Sequence, residues 1–197
     1  MPGLSVEEHA LGLTWTVEEP MRRSFHALVD EERVWLIDPI DDPVLGVVAE
    51  LGRPAAVLQL LDRHNRDCET IAQLFGVPHL KVPDAVPDSP FETIPVVRAP
   101  GWKETALWWP QRRALIVAEV LGTNRMYTAG RQKVGMHLFL RPFAPSMLRG
   151  IEPGHLLVGH GRAVHGAAVP ALVEAAHAGS RSELPRVLMA LPGAIRG

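Results

Sequence analysis

Two short runs, VWLIDP (residues 34–39) and AAVLQLL (residues 55–61), constrain the fold of this sequence more than any other feature. Each is apolar almost throughout, without polar alternation, as a strand covered on both faces should be. Between them DPVLGVVAEL reads as a helix, with Asp42 as N-cap, Pro43 at the first helical position and Val44, Val47, Val48 and Leu51 spaced along one face. Gly52, Arg53 and Pro54 break it. Two doubly buried strands joined by a helix form a parallel unit with helices against a sheet. The second run ends abruptly in the charged loop DRHNRDC. DCETIAQLFG is then a helix stopped at Gly76, and VPHLKVP a further strand.

Ahead of this unit, Leu11–Val17 and Ser24–Val29 are expected as short strands. Behind it DAVPDSPFETIP is proline-rich and irregular. TALWWPQRRALIVAEVLG reads as a hairpin with arms Thr105–Trp109 and Ala114–Val120. The stretch Thr123–Gly135 has no clean period and reads as a loop, and MHLFLRPFAPSMLRGI as containing a short helix. HLLVGHG is a last buried strand, and helices are expected at Ala167–Ala178 and near Glu183–Ala190. The 197 residues suit one domain, 1–197, and 47% apolar with 21% charged residues suits a globular chain. A net charge of -2 with no basic stripe points away from nucleic acid and membrane surfaces. The single cysteine, Cys68, forbids an intrachain disulfide and fits a reducing compartment, so a cytoplasmic location is expected. The first residues lack the apolar region of a signal peptide.

The landmarks VWLIDP, AAVLQLLDRHNRD, APGWKETALWW, RALIVAEVLG and HLLVGHGRAVHGAAVPALVEAA occur in an order and spacing that resembles the metallo-β-lactamase-like hydrolases, from about Val34 to Ala178. The resemblance implies an α/β fold, a four-layer αββα sandwich of two mixed sheets flanked by helices. It also implies a metal loop of pattern His-x-His-x-Asp-His. Here Asp62 stands at the first His, His64 at the second, Arg66 at the Asp and Asp67 at the last His. The family's His after Pro-Gly is replaced by Trp102 and Lys103, its bridging Asp by Glu119, and the His of GHG is retained as His160.

Asp62, His64, Asp67, Glu119 and His160 are therefore the candidate metal ligands, enough for one ion of zinc, manganese or iron. Arg66 and Lys103 oppose that, because a fixed positive charge beside the ion costs about 4 kcal/mol at 4 Å even at an effective dielectric of 20. Arg66 paired with Glu119 or Asp62 would substitute for the ion, so the leading expectation is no cofactor. His64 and His160 are the candidates for acid–base work. Each residue also has a plainer role. Asp67 is explained as an N-cap, His64 as a bonded loop histidine, the glycines beside His160 as turn formers and Cys68 as packing. Trp108 and Trp109 point to opposite faces of their strand. Trp102, Met126, Tyr127, Met136 and Phe139 suit a pocket mouth, a lid or a contact in a homo-oligomer.

Two functions remain. One is a divergent homologue without the dinuclear centre, acting as a scaffold or binding a small-molecule ligand. The other is a one-metal hydrolase of an ester, thioester, lactone or phosphodiester. β-Lactam hydrolysis does not follow from the fold.

Overall fold

A computed structural model describes residues 3–196. The first sheet runs in spatial order β1 (Gly3–His9), β2 (Gly12–Glu18), β3 (Ser24–Asp30), β4 (Arg33–Ile37), β5 (Arg53–Gln59) and β6 (His79–Lys81). It is antiparallel up to β4 and parallel from β4 to β6. Helices α1 (Val44–Leu51) and α2 (Cys68–Phe75) supply the two parallel crossovers. The second sheet contains β7 (Glu92–Ala99), β8 (Trp102–Trp109), β9 (Ala114–Val117), β12 (His155–Val158) and β13 (Val164–His165), in the order β13-β12-β9-β8-β7. A two-stranded ribbon, β10 (Leu121–Gly122) with β11 (Gly135–Met136), flanks α3 (Arg125–Thr128). Helices α4 (Val169–Ala178) and α5 (Leu184–Arg196) close the chain.

The alternation of side chains along each strand sorts the core into two layers. On β4, Val34 and Leu36 face α1 and α2, where they meet Leu13, Trp15, Val17, Val57, Val48 and Ile71. Trp35 and Ile37 face the other way and join Leu58, Ala106, Leu107 and Ile116 between the sheets. Every residue of β9 is buried, and α4 adds Val169, Val173 and Ala176 to the same core. The result is the αββα sandwich that the resemblance implies. Among the described residues no helix is long and apolar enough to cross a membrane.

The sheets are stitched together at one edge. Leu61, just past β5, bridges Glu104 of β8, and Arg23, just before β3, bridges His160 beyond β12. Thr105 donates its amide to the Leu60 carbonyl at 2.9 Å, Asp62 to Lys103 at 3.0 Å and Ser24 to Gly159 at 3.0 Å.

Several expected boundaries move. The segment around Pro95 carries β7, which the proline disguised; a bulge between Pro95 and Val97 accommodates the missing amide. β1 is an exposed edge strand whose charged residues hide it from an apolar-run search. β5 starts at Arg53, inside the expected break. Val47 is 43% exposed, and the inward face of α1 is Val44, Leu45 and Val48. The Asp42 carboxylate accepts from the Val44 amide at 3.1 Å, while Pro43 holds the cap position. The arm expected to run to Val120 leaves the ladder at Val117, and the loop Thr123–Gly135 contains α3. The final helix runs on past Ala190, through Pro192, to Arg196.

His26 is buried under the first sheet, sharing a hydrogen bond with Thr14 Oγ1 at 2.8 Å and reaching the Val158 carbonyl at 3.2 Å. Burial, reinforced by His9, holds its pKa down at about 3, and burial with His165 and His155 holds His9 at about 4. Both rings take up protons near pH 6.5 only in the unfolded chain, so stability falls as pH drops from 6.5 toward 3. The urea midpoint is expected to fall over that range, and H26Q to flatten the slope. A slope unchanged by H26Q would contradict this role for His26.

Candidate functional site

At the stitched edge, a turn after β9 carries Glu119 toward the first sheet. Its cause is the buried Glu104 of β8. One oxygen of Glu104, Oε1, accepts the amides of Ala118, Glu119 and Val120 at 3.0, 2.9 and 3.0 Å. Three consecutive amides turned to one carboxylate cannot also serve a strand ladder, so β9 ends there and the Glu119 side chain swings out. Burial pushes the Glu104 carboxyl up to about 7, against the pull of the Val120 and Glu119 amides.

Around Glu119 the loop after β5 brings Arg63 and His64, the loop after β12 brings His160, and the segment after β11 brings His137. The Arg63 guanidinium pairs with Glu119 Oε2 and lies 4.2 Å from the centre of the Trp102 ring. His64 Nε2 is 2.9 Å from Glu119 Oε1, His160 Nε2 is 3.7 Å from the same atom, and His137 Nε2 is 3.9 Å from Oε2. Tyr127 stacks on His160 at 5.9 Å. Burial pushes the Glu119 carboxyl up, but the His160 ring when protonated, the His64 ring and the Arg63 guanidinium outweigh it and hold the carboxyl far below the usual range. Glu119 is an anion here at any ordinary pH.

The outer nitrogens decide where the ring protons sit. Arg66 Nη2 lies 3.3 Å from His64 Nδ1 and can only donate, so His64 carries its proton on Nε2 and donates to Glu119. The Phe139 amide donates to His137 Nδ1 at 3.3 Å, which likewise sets Nε2–H toward Glu119. His160 is reversed: its Nδ1 meets the Met21 carbonyl at 3.2 Å and must donate. When neutral, its buried Nε2 therefore aims a lone pair at the carboxylate, with no hydrogen-bond partner among the described residues. Two glycines make this loop possible. A Cβ on Gly159 would sit 2.5 Å from the Ala118 carbonyl, and one on Gly161, where φ is +103°, 2.2 Å from Thr123 Oγ1.

The structure thus brings three of the five candidate ligands together: His64, Glu119 and His160, with donor atoms all within 4.8 Å of one another. It leaves Asp62 and Asp67 apart. Asp62 lines a separate cleft with Lys103, Lys81 and Arg98. Asp67 Oδ2 accepts the Asp41 amide at 2.9 Å, so its carboxylate joins the loop after β4 to the start of α2 and makes no cap bond within the helix. Arg66 pairs with neither Glu119 nor Asp62; it serves His64 and lies 4.7 Å from the centre of the Phe25 ring. Lys103 is exposed on β8. The cation on Glu119 is Arg63, which the sequence offers only as one more charge in DRHNRDC. His137, a lone histidine in an apolar stretch, and Glu104 carried no motif at all. Cys68 is buried, and burial raises its thiol pKa further out of the reactive range. Trp109 is core, while Trp102 packs between Arg63 and His137, 4.7 Å from the latter ring.

No protein-family profile and no curated protein matches the sequence. Solved structures do. DIM-1 metallo-β-lactamase aligns with a TM-score of 0.61 at 12% identity, over 92% of this chain and 98% of that one. The chain has the metallo-β-lactamase fold. Within that fold it is also similar to the chemotaxis sensor ODP, solved as a peroxy diiron species, with a TM-score of 0.56 at 12% identity over 88% of this chain and 94% of that one. A metallo-β-lactamase from Pontibacter korlensis aligns at 0.50 and 12%, over 89% and 93%. These identities establish the fold and nothing finer. The fold brings His64, Glu119 and His160 to one edge of the sandwich, together with Arg63, which the alignment of landmarks does not single out.

Removing the Glu104 carboxylate leaves three buried amides without an acceptor. E104A is expected to cost at least about 3 kcal/mol in urea unfolding, and E104Q, which keeps one acceptor oxygen, clearly less. Equal losses in the two variants would contradict this assignment.

Proposed function

We propose that this metallo-β-lactamase-fold protein works without a dinuclear metal centre and binds a small-molecule ligand rather than hydrolysing one. The observation that carries this reading is the Arg63–Glu119 pair, with a second guanidinium, Arg66, on His64 Nδ1. The residues present do not fit a two-ion centre. Two ions need more donors than His64, Glu119 and His160 supply, and Arg63 occupies one of the Glu119 oxygens. A histidine whose Nδ1 accepts a hydrogen bond keeps its proton on Nε2 and offers no lone pair there, which describes both His64 and His137. Arg63 holds the loop after β5 against the turn after β9, the structural service that a bridging ion would give.

A cavity of about 190 Å³ opens beside the cluster, with Glu119 and His137 in its wall and Met21, Met126, Tyr127, Phe139 and Leu191 as its apolar lining. That volume suits a small, largely apolar ligand with a polar group turned to His137 or Glu119. The second reading, a one-metal hydrolase of an ester, thioester, lactone or phosphodiester, is favoured by one feature: the unpartnered Nε2 of His160 facing a carboxylate.

Metal analysis separates the two. Wild type and H160A, each incubated with zinc or manganese and desalted, are expected to hold the same amount of metal. A loss of one equivalent in H160A would overturn the metal-free reading of this cluster in favour of the one-ion site.

A further inference from the structure

The hairpin whose tip presents His160 has a second group of imidazoles at its base. His155 of β12 and His165 of β13 are directly paired across antiparallel strands, with their Nδ1 atoms 2.8 Å apart. Beyond the pair, His165 Nε2 is buried with no hydrogen-bond partner among the described residues and lies 3.9 Å from Glu7 Oε1 of β1. His9 packs on His165 at 5.1 Å, but its own nitrogens are taken, Nε2 by Thr14 Oγ1 at 2.8 Å and Nδ1 by the Leu11 amide at 3.3 Å. None of these residues belongs to the Glu119 cluster.

We propose that His155 and His165 chelate a late first-row divalent metal ion through their Nδ1 atoms, with Glu7 orienting His165. The inference is independent of the function proposed for the Glu119 cluster. Two facing Nδ1 atoms cannot both be bare, so one carries a proton. The Glu7 carboxylate favours the His165 proton on Nε2, which leaves His155 as the Nδ1 donor. An ion binds once His155 shifts that proton to its own Nε2 and the two rings turn so that both lone pairs converge off the Nδ1–Nδ1 line. Both rings stay neutral and no net proton is released. A carboxylate behind a ligating histidine fixes the ring and raises its basicity.

The spacing selects among ions. Two nitrogens about 2.0 Å from one ion lie about 2.8 Å apart at a right angle and about 3.3 Å apart at the tetrahedral angle. The observed 2.8 Å is the length of the hydrogen bond that now joins the rings, and it equals the separation of adjacent positions on a square-planar or octahedral ion, copper(II) or nickel(II), so the rings can turn onto such an ion without moving apart. Zinc would need the pair to open by about 0.5 Å. An ion here would close the base of the loop that carries His160, clipping both strands of the hairpin.

Copper(II) titrated into the untagged full-length protein and followed by electron paramagnetic resonance tests this. One equivalent is expected with hyperfine structure from two imidazole nitrogens, together with a rise in Tm on adding nickel(II). H155Q and H165Q should each abolish the signal, E7Q should weaken binding about tenfold, and H160A should leave it intact. A signal that persists in the H155Q/H165Q double variant, or that H160A alone removes, would overturn the proposal. Two equivalents, one lost in H155Q/H165Q and the other in H160A, would sustain this site and overturn the metal-free reading of the Glu119 cluster.

Discussion

The site depends on one carboxylate oxygen. Glu104 Oε1 takes three consecutive amides, and no regular strand can present three consecutive amides to one point. The chain must leave the second sheet there. That departure turns Glu119 toward the loops from the first sheet, lets Gly159 approach the Ala118 carbonyl and sets where His160 arrives. Burying an acid with no cation on it is expensive, and the three amides offset the cost. Remove that nest and Glu119 would keep its sequence neighbours while losing its direction.

Around Glu119 the charges are arranged by donors on the outer side of each ring. His64 and His137 are told by Arg66 and by the Phe139 amide which nitrogen to protonate. His160 receives the opposite instruction from the Met21 carbonyl. Three histidines with the same chemistry thus play two parts around one anion. The guanidinium of Arg63, held against Trp102, supplies the positive charge on Glu119.

The sequence was legible where burial writes a periodic pattern. The doubly covered strands at VWLIDP and AAVLQLL, the helices between and after them and the GHG turn stand close to where their spacing puts them. β7 was hidden because Pro95 mimics a strand breaker, and β1 because an exposed edge strand has no apolar signature. Of the site, His64, Glu119 and His160 could be found from the order of the landmarks. Asp62 and Asp67 could not be separated from them, because ligand geometry depends on which way a six-residue loop turns its side chains. Arg66, at φ +46°, sits at a reversal in that loop, and there the sequence carries no periodicity to read. Arg63, His137 and Glu104 come from three separate segments, and only the packed chain reveals that they share a neighbour.

The bridges Leu61–Glu104 and Arg23–His160 cross from one sheet to the other. Arg63, His64 and His160 are therefore anchored within a few residues of a joint between two stacked sheets. Stacked sheets can shear or rotate slightly without breaking their own ladders, and here any such motion alters the distances from His64 and His160 to Glu119. The spacing around Glu119 is thus set by the angle at which the two halves of the molecule are stacked.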